Sequence, residues 1–271
     1  MRLSPDLDAL VRGQQADPFR LLGPHIDRHS GHLRVRALRP GARAIELRLR
    51  HPERLAVPMT RRHVDGLFEA DVPSVRTLEH GIDYRLFIEF EQAEPIELDD
   101  PYRFGRITTD YELHLFGEGQ WLKVHDRLGA HLTELADIRG VHFAVWAPNA
   151  QRVSVVGDFN GWDGRVHPMR HLLPSGVWEL FVPGLDEGEK YKFEIRTGGG
   201  HLLHKVDPYG RYFEVPPRSA AIVCRTEGYA WGDAGWMAER ERAGAWLTRP
   251  MSTYEVHLAS WRRVVDEAKM F

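Results

Sequence analysis

The chain has 271 residues, of which 42% are hydrophobic and 28% charged, so it is long enough for two domains and has the composition of a soluble globular protein. Its formal net charge of -3 gives no support to broad attraction to nucleic acid or to an anionic membrane. No stretch approaches the roughly 20 apolar residues of a membrane helix. The single cysteine, Cys224, excludes an intramolecular disulfide, and the first residues lack the apolar run of a signal peptide, so we expect a cytoplasmic protein.

The chain begins with signals for a short helix. Ser4 is a good helix cap, Pro5 suits the first helical position, and Gly13 is a common stop. The sequence therefore predicts one short helix before the first strand.

A long internal repeat follows. Each copy has a strand in which apolar and polar residues alternate, a Pro-Gly or Pro-Asn turn, and a second such strand. Matching Pro, Gly, Tyr and Asp residues of the two copies lie about 107 to 110 positions apart. Short alternating strands between Gly, Pro, Asn and Asp turns are typical of a β-sandwich of about 100 residues. The paired segments are 33–49 with 141–156, 66–73 with 176–183, 81–88 with 188–195, and 100–102 with 207–209.

The repeat predicts an all-β fold with two tandem immunoglobulin-like β-sandwiches. We assign residues 1–109 to the first sandwich and 110–137 to a linker. Residues 138–226 form the second sandwich, and 227–271 hold a linker helix, predicted over 236–246, and a segment of strand composition, 252–261.

Catalytic and metal-binding signatures are absent from the sequence. Common nucleophile, zinc-protease, phosphate-loop and paired-cysteine motifs do not occur. The pairs His167 with His171 and His201 with His204 lie in turn-like stretches without a third ligand, which favours surface histidines over a metal site. Asp99 and Asp100 precede a proline, which favours a structural turn over acid catalysis.

Trp162 is the residue that invites a functional interpretation. It lies in a turn, 157–164, where small polar residues are usual. A flat ring there could stack on a ring-shaped ligand, with Asn160, Asp163 and Lys192 binding its rim, or it could fold back as a lid on the core. The equivalent segment of the first copy, 48–54, has no aromatic residue, which favours binding in the second copy.

Several motifs together resemble the N-terminal part of bacterial glycogen branching enzymes, over roughly residues 17 to 263. Two of the motifs, Phe-Ala-Val-Trp-Ala-Pro and Gly-Asp-Phe-Asn-Gly-Trp, would by themselves indicate only a starch- or glycogen-type carbohydrate-binding sandwich. The Leu-Phe-Gly-Glu-Gly linker and the doubled sandwich narrow the resemblance to branching enzymes. The motifs are DPFRLLGPH from 17, LHLFGEG from 113, KVHDRLGAH from 123, FAVWAPNA from 143, GDFNGWD from 157 and YEVHLASW from 254.

The resemblance implies transfer of an α-1,4-glucan segment to an α-1,6 position by a retaining mechanism on a (β/α)8 barrel. Only the first barrel strand, 254–258, is matched here, and no position matches the family's catalytic carboxylates. We therefore assign no catalytic residue, cofactor or metal and expect the chain alone to be an inactive, truncated front portion of a transferase. We also expect residues 249–271 to be mobile or irregularly docked.

The resemblance also implies α-glucan contacts by Trp162 and Lys192, to which we add Asn160. A second aromatic residue, which often follows in such modules, is not evident in 198–203, so weak affinity is expected. We expect a monomer that binds glycogen or maltooligosaccharide but neither nucleic acid nor membrane. The alternatives are a stand-alone glucan-binding module and a purely structural pair of sandwiches.

Overall fold

A computed structural model describes residues 3–79, 81–228, 230–244, 250–257 and 261. The chain forms two compact units, residues 1–225 and residues 226–271. Strands dominate the first unit, and every pairing between them is antiparallel in the described residues. The described residues contain no helix long and apolar enough to cross a membrane.

The predicted N-terminal helix is confirmed as α1 (Pro5–Val11). The Ser4 side chain accepts a hydrogen bond from the backbone N–H of Leu7, and Pro5 opens the helix, as these residue types do. Gly13 follows with a positive φ of 62°, which ends the helical path.

The first sandwich has two four-stranded sheets, ordered β1-β2-β6-β5 and β4-β3-β7-β8. Between them lies an apolar core that includes Leu33, Leu47, Phe68, Leu86 and Ile88. The strands are β1 (Gly23–Ile26), β2 (Leu33–Leu38), β3 (Ala42–His51), β4 (Leu55–Pro58), β5 (Thr60–His63), β6 (Leu67–Val72), β7 (Asp83–Phe90) and β8 (Ile96–Asp99).

The second sandwich has sheets ordered β12-β13-β10-β9 and β11-β14-β17-β16, and β15 also pairs with β14. Its strands are β9 (Gly129–Leu135), β10 (Ile138–Trp146), β11 (Ala150–Gly157), β12 (Arg170–Leu172), β13 (Val177–Pro183), β14 (Lys190–Thr197), β15 (Leu202–Lys205), β16 (Tyr212–Phe213) and β17 (Ala221–Ile222). The predicted all-β class with two tandem sandwiches is confirmed.

The predicted linker, 110–137, contains regular structure. Helix α2 (Asp110–Gly117) begins with a capping box between Thr109 and Glu112. Its Leu113 and Phe116 pack against a small cluster that includes Ala144. Strand β9 then pairs with β10, so the end of this segment belongs to the second sandwich's sheet.

The two sandwiches share one apolar cluster. Leu22 and Tyr102 of the first copy lie in the same buried group as Val141 and Phe143 of the second. Polar contacts accompany it: Glu179 accepts hydrogen bonds from the backbone N–H groups of Ile107, at 3.1 Å, and Thr108, at 3.0 Å. Because the cluster is continuous, residues 1–225 pack as one body.

The second unit contains helix α3 (Ala234–Arg242), in which the Arg240 guanidinium lies 5.2 Å from the ring centre of Trp236. The end of the predicted helix, 245–246, lies outside the described residues. The segment of strand composition has no regular secondary structure over residues 254–257, as expected for a strand without its sheet. A strand needs a neighbour for its backbone hydrogen bonds, and the described residues of this unit contain no other strand. Leu258 and most of 249–271 lie outside the described residues.

Candidate functional site

The turn after β11 places Trp162 at the edge of the second sandwich. Asp158–Asn160 form one turn of 3-10 helix, and Gly161 and Trp162 both adopt left-handed backbone conformations, with φ of 61° and 60°. A hydrogen bond of 3.0 Å from the Trp162 N–H to the Gly157 carbonyl closes the turn. A left-handed conformation is costly for a bulky side chain, so the backbone gains nothing from tryptophan at this position.

The indole of Trp162 is held at its polar edge. Its Nε1–H donates to Oδ1 of Asp158 at 2.9 Å, and the side chain is half-buried. Phe159, three residues earlier, is the aromatic residue of the turn that packs onto the apolar core, with its ring stacked on Phe143. Since Phe159 closes the core, the lid interpretation loses its main support for Trp162.

Asn160 is engaged within the turn. Its Oδ1 accepts from the Gly157 N–H at 3.0 Å, and its Nδ2 donates to the Val155 carbonyl at 2.9 Å and lies 3.0 Å from Nδ1 of His167. Both amide hydrogens are therefore used inside the protein. This network fixes the turn that carries Trp162.

His167 connects this network to the first sandwich. Burial first, and then the charge of Arg39, hold the pKa of His167 well below its usual range, so the ring is neutral and accepts from Asn160 at Nδ1. The flanking Val166 carbonyl accepts from Arg39 Nη1 at 3.3 Å, and the Pro168 carbonyl accepts from the Tyr102 hydroxyl at 3.1 Å. The segment behind the turn is thus clamped by residues of the other sandwich.

Lys192 lies on β14, the strand that pairs with β11. It is opposite Val156, and its Nζ donates to Oγ of Ser219 at 2.9 Å. Lys190, two residues earlier on the same side of the strand, has its Nζ 3.8 Å from Oδ2 of Asp158. The structure therefore brings the predicted lysine to the neighbourhood of the tryptophan turn, and links the turn to β14 through Asp158.

Asp163, the other polar group predicted at the rim, is paired internally. Its two carboxylate oxygens accept from the Arg165 guanidinium at 2.7 to 3.2 Å. Burial acts to raise the pKa of Asp163, but the hydrogen bonds and charge of Arg165 outweigh it and lower the pKa. Its carboxylate is consequently less available to a neutral ligand than that of Asp158.

Sequence reasoning missed Asp158, Lys190 and Ser219. Lys190 could have been predicted from Lys192, because residues two apart in a strand lie on the same face. The contacts of Asp158 with Trp162 and Lys190 depend on how the turn bends, and the Ser219 contact joins residues 27 apart. No local pattern encodes these.

The sequence favoured surface histidines, but His167 is buried, with 6% of its surface exposed. His171, His204 and Asp100 also have partners within the protein. His171 stacks on Trp178 with ring centres 4.2 Å apart, and Nε2 of His204 lies 3.2 Å from Oε2 of Glu194. Oδ2 of Asp100 accepts from the Tyr84 hydroxyl at 2.6 Å, which confirms the structural interpretation of this acid. No group of three or more possible metal ligands occurs among the residues that the structure describes.

Two family comparisons divide the chain as the sandwiches do. Residues 127–210 match Carbohydrate-binding module 48 (Isoamylase N-terminal domain), and residues 4–102 match the N-terminal domain of the alpha-1,4-glucan branching enzyme GlgB. The first match contains the turn of Trp162 and the strand of Lys192.

Curated relatives match almost the whole chain. A 1,4-alpha-glucan branching enzyme GlgB of Paramagnetospirillum magneticum is 45% identical over 265 residues, which cover 97% of this chain and 34% of that protein. The same-named proteins of Pseudomonas putida and Burkholderia lata are 46% and 47% identical, again over 97% of this chain and 34% and 35% of theirs. The chain thus spans about a third of the length of these relatives.

Proposed function

Since this chain corresponds to the N-terminal region of GlgB-type 1,4-alpha-glucan branching enzymes, we propose that it is the part of such an enzyme that binds α-glucan, at the Trp162 turn. One observation carries the proposal: the Trp162 indole is fixed by Asp158 on a projecting turn while Phe159 serves the core. The ring is therefore held in place by a polar contact instead of by core packing.

The arrangement suits a neutral sugar. The C–H face of a glucose ring stacks on a flat aromatic ring, and its hydroxyl groups need donors and acceptors at the edge. Asp158 supplies acceptors, whereas Lys192 with Ser219 supplies donors and an acceptor. We assign Asn160 mainly to positioning, because its amide hydrogens are bonded within the turn.

We place the chain in the cytoplasm, supported by its single cysteine, and as a monomer whose partner is glycogen or a maltooligosaccharide. Weak affinity is expected from one half-buried ring. No residue of the chain is proposed as a catalytic nucleophile or acid, so an iodine-colour branching assay with this chain alone should be blank.

Electrophoresis in a native gel with and without embedded glycogen tests the proposal. The wild type should be retarded by glycogen, and Trp162→Ala should migrate as in the plain gel. Trp236→Ala is the control, because it removes an indole that is 61% exposed and lies in the second unit, away from the turn. If glycogen leaves the wild type unretarded, the sandwiches have only a structural role and the proposal fails.

A further inference from the structure

A second aromatic ring lies on the same sheet face as the Trp162 turn. Tyr212 of β16 pairs with Ile222 of β17, and Ile222 pairs in turn with Lys190 of β14. Directly paired residues of antiparallel strands point to one face of the sheet. Tyr212, Ile222 and Lys190 therefore form one row across three strands.

Asp158, in the turn directly after β11, extends this row beyond Lys190. Its Oδ2 lies 3.8 Å from Nζ of Lys190, and its Oδ1 accepts from Nε1 of Trp162. With neighbouring strands about 4.8 Å apart, the backbone positions of Asp158 and Tyr212 are separated by about 14 Å. Trp162 and Tyr212 consequently mark the two ends of one row.

Tyr212 is open to solvent, with 58% of its surface exposed. The next residue, Phe213, pairs with the buried Ala221 and so points to the opposite face of the sheet, where 42% of its surface is exposed. A large exposed ring on the outer side of a two-residue strand does nothing for the core. Its surface is available to a ligand that lies across the strands.

The middle of the row combines polar and apolar groups. Lys190 Nζ lies between Asp158 and Glu214, 3.8 and 3.7 Å from their carboxylate oxygens, and Ile222 is half-buried beside it. Charged donors and acceptors can bind sugar hydroxyls, while an aliphatic surface can contact sugar C–H groups. The chemistry of the row thus matches that of a sugar chain along its whole length.

We propose that Tyr212 is a second stacking platform, so that the row from Trp162 to Tyr212 binds consecutive glucose units of one α-glucan chain. This inference rests on the proposed function of Trp162. A single glucose ring is much shorter than the roughly 14 Å between the backbone positions of Asp158 and Tyr212, so only an oligosaccharide contacts both ends of the row. Tyr212 therefore supplies the aromatic partner that residues 198–203 lack.

Ligand-observed NMR titration of the full chain with maltose and with maltoheptaose tests the inference. Tyr212→Ala should weaken maltoheptaose binding about fivefold or more and leave maltose binding unchanged. Tyr212→Phe should bind as the wild type, because stacking does not need the hydroxyl. Tyr212→Leu, which keeps an apolar residue in the strand, should weaken maltoheptaose binding as Tyr212→Ala does and serves if that variant fails to fold. Tyr111→Ala, which removes a ring that is 69% exposed on α2, is the matched control.

The outcomes separate this inference from the proposed function. If Tyr212→Ala and Tyr212→Leu bind both ligands as the wild type does while Trp162→Ala loses both, the second platform is wrong and the first site stands. Equal weakening for maltose and maltoheptaose in the Tyr212 variants also overturns the inference, since a ring at the far end of the row from Trp162 should affect only the longer sugar. If the wild type binds neither ligand, or Trp162→Ala binds both unchanged, the proposed function fails and this inference with it.

Discussion

The hydroxyl of Tyr191 donates a 2.6 Å hydrogen bond to Oδ2 of Asp207, inside the second sandwich. Tyr84 makes the same bond to Asp100 in the first sandwich, also at 2.6 Å. Both residues of each pair lie 107 positions from their counterparts. The repeat therefore preserves a pair that joins a central strand to the turn leaving the sheet. Burial, followed by the effects of Asp207, raises the pKa of Tyr191 above its usual range, so the tyrosine stays protonated and donates.

Tyr191→Phe should lower the free energy of unfolding by about 1.5 to 3 kcal/mol, because it removes the hydroxyl donor from Oδ2 of a buried carboxylate and leaves only the Tyr209 N–H on Oδ1. Tyr84→Phe should cost a similar amount, and Tyr111→Phe, at an exposed position, less than about 0.5 kcal/mol. Urea unfolding followed by circular dichroism measures all three. Equal stability of the wild type and both buried variants would show that the pairs add nothing to folding.

Glu179 should make the protein acid-sensitive. Burial acts to raise the pKa of Glu179, but the hydrogen bond and charge of His142 and the bonds from Thr108 lower it to about 2. A lowered pKa in the folded state stabilises the fold above the unfolded value near 4.5, and this contribution is lost as the pH falls toward 2.

The shift predicts that Glu179→Gln costs about 3 kcal/mol more at pH 6 than at pH 2. Unfolding free energies of the wild type and the variant at pH 6, 4 and 3 should converge steadily. A constant difference over this range would mean that the carboxylate titrates normally in the fold.

His167 should add a second pH dependence, at higher pH than that of Glu179. Burial and Arg39 lower its pKa in the fold, so below about pH 6.5 the unfolded chain takes up a proton that the folded chain does not, and stability falls with falling pH. His167→Gln, whose side-chain oxygen can still accept from Asn160, should reduce the slope by up to about 1.4 kcal/mol per pH unit.

The measurement is urea unfolding at pH 7.5, 6.5 and 5.5. Burial also lowers the pKa of three other histidines: His25, His131 and His171. Because the variant keeps their contribution to the pH dependence of stability, only part of the slope should disappear. Parallel curves for the wild type and the variant would contradict the assignment.

Trp162 offers a test that separates binding from stability. Because its φ is 60°, Trp162→Gly should be about 1 kcal/mol more stable than Trp162→Ala, while both lose retention by glycogen. Thermal unfolding and glycogen electrophoresis of the two variants check this. A less stable glycine variant would mean that the left-handed conformation carries no cost here.

The sequence predicted the sandwiches well because strand alternation and turn residues are local signals. Ser4, Pro5 and Gly13 marked α1 correctly for the same reason. Residues 254–257 have strand composition but no strand structure, because strand formation depends on a partner.

The site was predicted less completely. Trp162 was conspicuous as a large ring among turn residues, and Lys192 was proposed as a polar group at its rim and again through the family resemblance. The hydrogen bond from Arg39 to the Val166 carbonyl joins residues 127 apart, and the proposed row from Asp158 to Tyr212 depends on the pairing of β14, β17 and β16 and on the turn after β11. Such relations depend on tertiary pairing, which a single sequence does not display.

The apolar cluster that joins the sandwiches limits how the second sandwich can be transferred to another protein during evolution. A domain that is moved between proteins by gene fusion must have a polar surface where its former neighbour packed. Here Val141 and Phe143 share their burial with Leu22 and Tyr102. Moved alone into another gene, the second sandwich, residues 127–225, would expose part of that cluster and would tend to aggregate. The two halves are therefore expected to be inherited together, as a single evolutionary unit.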